Sequence, residues 1–341
     1  MNRPVPITGA QARAALDKAV EQVRLNLPRY TKKCQHHSSV NGVYPACKNE
    51  EWTCGFWPGE IWLAYERTHD EAFRRAGLAL VLAAGQLVSR YQPKGEFIQA
   101  WGRMGSPINY RFIIDCLLNL PLLYWASRET GEEKYADIAK RHTATCMANS
   151  FRPDGSTYHT FYMRKDGRPG HGRTCQGYKD DSFWARGQAW GVYGSILSYR
   201  YTGESKALDT FKRALEFYLT RLPDDLVPCW DMLFQPDSGE PRDSSSAAIV
   251  ACGLLEAARV LPPGEGAEYE RLAREMVGSL AADYAVPVPM KGTGLILHGT
   301  YSKKSPYNTC FPEGVDECTS WGDFYYMEAL TRLCADWDPY W

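Results

Sequence analysis

A chain of 341 residues with 44% hydrophobic content can bury a large core, and it has neither the composition of a disordered protein nor an apolar run of membrane-spanning length. Its formal net charge of -1 excludes the broadly basic surface that nucleic acid demands, so an acidic ligand must be read by local side chains. No nucleic-acid or membrane partner is expected.

The opening run Met1-Asn-Arg-Pro-Val-Pro-Ile-Thr-Gly-Ala10 lacks the apolar stretch of a signal peptide and leads into an amphipathic helix over 9–26, which predicts a cytoplasmic protein. A polar loop through Asn41-Gly42 then reaches 51–60, where Pro58 suits the first turn of a helix running to Arg67. Further helices are predicted over 71–90, 108–128, 133–149, 182–201, 204–221, 243–260, 267–285 and 320–335, ten in all. The stretches 97–101, 157–162 and 295–298 read as short strands, but no βαβ alternation appears, so the class is all-α. Thr68-His-Asp, Thr130-Gly-Glu and Thr202-Gly-Glu each close one helix and open the next. Long aromatic and polar loops separate these helical hairpins, which predicts one domain over 1–341, an (α/α) barrel with its site at the loop-rich end.

The eleven cysteines are irregularly spaced. Cys116, Cys146 and Cys252 fall in helix-like apolar runs and read as free buried thiols. The cluster Cys34-Gln-His36-His37 with Cys47 and Cys54 matches no standard zinc spacing, and neither a metal nor another cofactor is expected.

The stretch Cys175-Gln-Gly-Tyr-Lys-Asp-Asp-Ser-Phe-Trp-Ala-Arg-Gly-Gln-Ala-Trp190 is the strongest local site signal. Asp181 and Ser182 are N-cap chemistry ahead of a helix that is apolar on most of its circumference, hence buried. Arg186 and Trp190 lie four apart on one stripe, with Gln176 in the loop before them. Arg pairs with carboxylates, Trp stacks on ring faces and Gln holds hydroxyls, so the set suits an anionic sugar. The plainer alternative is a structural Arg stacked on a core Trp.

Several motifs together resemble glycoside hydrolase family 88, the unsaturated glucuronyl hydrolases. They are Trp52-Thr-Cys-Gly-Phe-Trp57-Pro-Gly59, Phe97-Ile-Gln-Ala-Trp101, Ile113-Ile-Asp115-Cys-Leu-Leu-Asn119, Arg152-Pro-Asp-Gly-Ser-Thr-Tyr-His159, the 175–190 stretch, Pro241-Arg-Asp-Ser-Ser245, and Gly314-Val-Asp-Glu-Cys-Thr-Ser-Trp-Gly-Asp323. The resemblance implies a six-hairpin (α/α)6 barrel that releases the 4,5-unsaturated uronic acid from the non-reducing end of oligosaccharides left by polysaccharide lyases. It implies an aspartic acid that protonates the C4=C5 vinyl ether, after which water adds at C5 and the hemiketal opens. That acid falls on Asp115, whose apolar flanks Ile113, Ile114, Leu117 and Leu118 favour a raised pKa. Trp52, Trp101, His159, Gln176, Arg186 and Trp190 fall on positions that line the sugar site.

One departure from the family is expected to matter. A helical segment with a His-Asp-x-Gly-Phe motif, carrying the second aspartate of the site, is missing after residue 70, which leaves about one hairpin fewer than the full barrel. Three readings follow. The first is an active hydrolase, and the second is a catalytically impaired homologue that keeps sugar binding. The third, an isomerase or epimerase, would want a histidine pair that the seven histidines do not visibly form. The gap also predicts an apolar groove walled by Trp62, Leu63, Leu78, Leu80 and Leu82.

Overall fold

The computed structural model describes residues 3–30, 33–48, 55–76 and 87–337. Ten α-helices lie among them, and the chain divides into two compact units. The first comprises Met1–Ala79, Leu222–Lys303 and Phe311–Trp337; the second comprises Leu80–Arg221, Lys304–Cys310 and Asp338–Trp341.

In the first unit α1 (Gly9–Tyr30) buries Leu16, Val20 and Val23 along one stripe, and packs on α2 (Phe56–Thr68) and α10 (Ser320–Cys334). Gly59 of α2 lets α2 and α10 approach each other, because a Cβ there would stand 2.5 Å from the ring of Phe324. Helices α8 (Ser244–Val260) and α9 (Pro263–Ser279) form a hairpin, and α8 also packs on α10. Arg332 of α10 spans the α8–α10 contact, with Nη1 2.8 Å from Glu256 Oε2 and Nε 2.9 Å from Glu328 Oε1. Both carboxylates are buried, so losing the arginine would strand two charges. Asp323, at the end of the Gly314–Asp323 motif, is a structural acceptor. It takes the amides of Leu295 at 2.8 Å and Ile296 at 3.1 Å, and the Tyr44 hydroxyl at 2.8 Å.

After α2 the chain turns into α3 (Glu71–Ala76), and the rest of the predicted 71–90 helix lies mostly outside the described residues. Leu63 is buried and Trp62 half-buried, so the expected groove is not found at these positions; Leu78, Leu80 and Leu82 fall outside the described residues. Leu63 instead helps fill the core. Asp70 is the N-terminal cap of α3, accepting from the Ala72 amide at 2.9 Å and pairing with Arg24 at 2.7 Å.

The second unit holds α4 (Leu120–Thr130), α5 (Lys134–Asn149), α6 (Ala185–Thr202) and α7 (Ser205–Leu219), paired as α4–α5 and α6–α7. The repeated Thr signal proves to be one capping device used three times. The hydroxyls of Thr68, Thr130 and Thr202 bond the carbonyls of Ala64, Ala126 and Ser198 at 2.7–2.8 Å, and the next residue turns left-handed: His69 at φ 54°, Gly131 at 73° and Gly203 at 68°.

Four sequence expectations are corrected here. The region 108–128 is not one helix but strand β5 (Arg111–Ile113), a 3-10 turn (Ile114–Leu118) and then α4. β5 pairs antiparallel with β6 (Thr160–Met163), a partner too distant in sequence for periodicity to reveal, and Pro121 starts the helix afresh in its first turn. β7 (Pro169–Arg173) completes that sheet. The helix expected from 182 begins at Ala185, with Trp184 in the N-cap position, and Ser182 Oγ closes a turn ahead of it, accepting from Lys179 N at 3.0 Å and donating to its carbonyl at 2.9 Å. The strand expected over 295–298 is only an isolated bridge between Ala285 and Ile296, and the predicted 267–285 helix is α9 followed by a π turn (Leu280–Tyr284). The stretch 97–101 contributes the two-residue strand β4 (Phe97–Ile98), paired with β3 (Tyr91–Gln92) and pinned by the Ile98 amide donating to His142 Nδ1 of α5 at 2.9 Å; β1 (Cys34–Gln35) and β2 (Ala46–Cys47) form a small hairpin in the first unit.

Candidate active site

Asp115 sits in the 3-10 turn between β5 and α4, in the second unit. Two glycines of α6 let that turn come close. A Cβ at Gly194 would stand 2.4 Å from Leu117 Cβ, and one at Gly191 would be 3.2 Å from Ile114. The Ile114 amide also donates to the His159 carbonyl at 3.0 Å, which ties the turn to the start of β6. Sequence neighbours and sheet pairing thus hold Asp115 and His159 side by side.

Burial pushes the Asp115 carboxyl up to about 6, against the opposing pull of the Arg186 guanidinium, its own backbone amide and the Trp190 indole N–H. The side chain keeps 16% of its accessible surface, so it is a wall group with one open face rather than a sealed core residue. A carboxyl with that pKa and that opening can hold a proton near neutrality and deliver it to something outside.

His159 is buried, and the chain fixes its tautomer. Its Nδ1 accepts the backbone amides of Cys175 at 3.1 Å and Gln176 at 3.3 Å, so the ring proton sits on Nε2. That Nε2 lies 3.9 Å from Asp115 Oδ2, too far for a direct hydrogen bond but near enough for one oxygen to bridge the two. Burial, then the charges of Arg186 and Arg111, hold the imidazole well below its ordinary pKa. It is a neutral donor beside an acid.

The other predicted residues divide. Gln176 is buried beside His159 in the loop that the segment 304–310 covers: Ser305 Oγ donates to the Tyr178 carbonyl and Asn308 Nδ2 to the Gly177 carbonyl at 3.0 Å. Trp101 is 36% exposed and stands edge-on to His159, 6.1 Å between centroids, which makes it an accessible ring platform. Trp190, 2% exposed, instead forms the wall against Asp115. Arg186 is 1% exposed and lies over Trp184 at 4.5 Å. Its charge acts on Asp115 through the protein rather than from an open surface. Trp52 lies outside the described residues.

Arg111 was not singled out by sequence. It lies over Trp101 at 4.4 Å and over Tyr162 at 4.9 Å, hydrogen-bonds Tyr162, and adds a second positive charge beside His159. Only the β5–β6 register, which sets Arg111 opposite Tyr162, brings it to the site.

The chain is similar to known proteins over nearly its whole length. The family model for Glycosyl Hydrolase Family 88 matches residues 63–308. The unsaturated chondroitin disaccharide hydrolase of Streptococcus pneumoniae is 39% identical over 381 residues, covering 98% of this chain and 95% of that protein. That aligned stretch exceeds the 341 residues here, so the relative carries positions without a counterpart in this chain. The crystal structure of unsaturated glucuronyl hydrolase from Streptococcus agalactiae matches with a TM-score of 0.91 and 37% identity, covering 99% of this chain and 95% of that one. A variant of the same enzyme complexed with dGlcA-GalNAc6S matches with a TM-score of 0.81 and 33% identity, covering 99% and 95%. The fold is therefore that of these helical-hairpin enzymes, and the chain belongs to glycoside hydrolase family 88.

Proposed function

We propose that this chain releases the 4,5-unsaturated uronic acid from lyase-generated disaccharides of the chondroitin type, with Asp115 as the proton donor. The observation that carries the mechanism is a carboxyl pushed up to about 6 on an open wall, beside the fixed Nε2–H of His159. Protonated Asp115 gives its proton to C4 of the vinyl ether, and the positive charge that develops is shared between C5 and the ring oxygen. Water adds at C5 and returns a proton to the Asp115 carboxylate. The resulting hemiketal opens and expels the remaining sugar, so the acid is regenerated. His159 Nε2–H donates to a sugar hydroxyl or to the attacking water. Trp101 supplies the stacking face, Gln176 hydrogen bonds, and Trp52 a further wall. Arg186 and Trp190 act on the carboxyl itself, and Arg111 supports Trp101 and contributes positive charge near the uronate.

The substrate class rests on the relative that is named for chondroitin disaccharides and on the dGlcA-GalNAc6S complex. The impaired-homologue reading finds no support in these relatives, which are named as hydrolases. We further read 1–341 as one catalytic domain, since the likeness to the streptococcal structure spans 99% of the chain. We place it in the cytoplasm, because its ten described free thiols suit a reducing compartment. The test is loss of vinyl-ether absorbance across a panel of lyase products from chondroitin, hyaluronan, heparin and gellan. Fastest turnover of chondroitin disaccharides is expected, and no turnover of any member overturns the reading.

A further inference from the structure

We propose that His36, His37 and Glu313 bind a single divalent transition-metal ion of the zinc type, in the first unit. The ligand atoms these three residues offer all lie within 4.8 Å of one another. His37 Nε2 is 3.2 Å from Glu313 Oε1. Two ligand atoms each about 2.0–2.1 Å from a zinc ion, at the tetrahedral angle, stand about 3.3 Å apart, so this pair already has the edge length of a coordination tetrahedron. The His36 ring lies 3.8 Å from that of His37, centroid to centroid, and can supply a third corner.

The surroundings are those of a metal-ligating histidine. His37 Nδ1 is 2.9 Å from Ser38 Oγ, which can accept the Nδ1 proton and leave the Nε2 lone pair for an ion. Tyr301 lies against the same ring, tilted at 43° with 4.4 Å between centroids, and limits its orientation. Glycine at 314 makes the approach of the third ligand possible: its φ is 57°, and a Cβ there would stand 2.2 Å from Ser38 Oγ. His37 is buried, His36 half-buried and Glu313 exposed, so the site has a dry side and a wet side from which an ion and a fourth, water ligand can enter.

Two histidines and a carboxylate with an open position form a known zinc ligand set. No local spacing marks it in the sequence, because Glu313 comes from the far end of the chain. Cys47 does not share the site; its thiol donates to the carbonyls of Cys34 and Gln35 at 3.6 and 3.4 Å. An ion here would fasten the 33–48 segment to the strand-like stretch where Ser302 bridges Glu313.

The test uses the full chain, stripped with a chelator and titrated with Zn(II) by calorimetry and with Co(II) by absorption. One ion per chain is expected, with weak cobalt d–d bands, no thiolate-to-cobalt charge transfer, and a rise in Tm on metal addition. Glu313→Gln, at a half-exposed side chain, should leave the metal-free Tm unchanged. It should weaken binding by more than the roughly tenfold that loss of a supporting contact costs at such sites. His36→Asn should do the same. A thiolate charge-transfer band, binding that both variants leave intact, or no stoichiometric binding at all would overturn the proposal.

Discussion

Replacing Asp115 with asparagine should make the protein more stable at alkaline pH. Burial raises this carboxyl from 3.8 to about 6, so the native state holds a proton that the unfolded chain has already released. The sign follows from linkage. Native stability falls as pH rises from 3.8 through about 6, and the full penalty is present above that. At 1.36 kcal/mol per unit, a shift of a little over two units amounts to about 3 kcal/mol at pH 8 and about half of that at pH 5. The group is only 16% exposed, so solvent screening removes little of this. A neutral amide escapes the penalty but carries its own pH-independent desolvation cost. The robust quantity is therefore the growth of the variant's advantage, about 1.4 kcal/mol between pH 5 and pH 8. The gain at pH 8 would be as much as about 4 °C in Tm for a chain of this length. Urea unfolding or calorimetry of both proteins at the two pH values gives the answer. A stability difference that does not change with pH would refute a desolvated Asp115.

The same titration should govern turnover. We expect kcat/KM to fall about tenfold per pH unit above roughly pH 6, as the acid loses its proton. Arg186→Met removes the cation that holds the carboxyl down, so this alkaline limb should move up by about one unit or more; a limb that stays put while KM rises would make Arg186 a substrate contact instead. Trp101→Ala should raise KM a few-fold to about tenfold and leave kcat nearly unchanged, as loss of a stacking face does, and an unaltered KM would remove Trp101 from the site.

Much of this architecture was legible because it is written locally. A Thr followed by a residue able to turn left-handed ended helices at 68, 130 and 202, and the hairpins followed from that. The apolar flanks of Asp115 foretold its raised pKa. What escaped depended on partners remote in sequence. The run Arg111–Ile113 is extended because Thr160–Met163 offers it a ladder, so a region that reads as helix carries its acid on a 3-10 turn. Ser182 has N-cap chemistry, and its hydroxyl also closes a turn on Lys179 while the helix begins only at Ala185. Arg186 and Trp190 share a helix face, and the guanidinium also lies over Trp184, whose ring the backbone places just before the helix starts. Arg111 and Glu313 carried no local signal at all. Each gains its meaning from a strand register or a loop approach that only the folded chain provides.

The central claim is that Asp115 donates the proton that starts the reaction. The most direct measurement is single-turnover loss of vinyl-ether absorbance by Asp115→Asn on an unsaturated chondroitin disaccharide, with the affinity of that variant for the same sugar measured by calorimetry. An amide keeps the shape of the carboxyl but has no acidic proton to give, so the rate should fall by at least about a hundredfold while affinity stays within a few-fold of a slow-substrate reference on the wild type. A fall of less than about tenfold, with binding intact, would contradict the account and send the search for the acid to another residue.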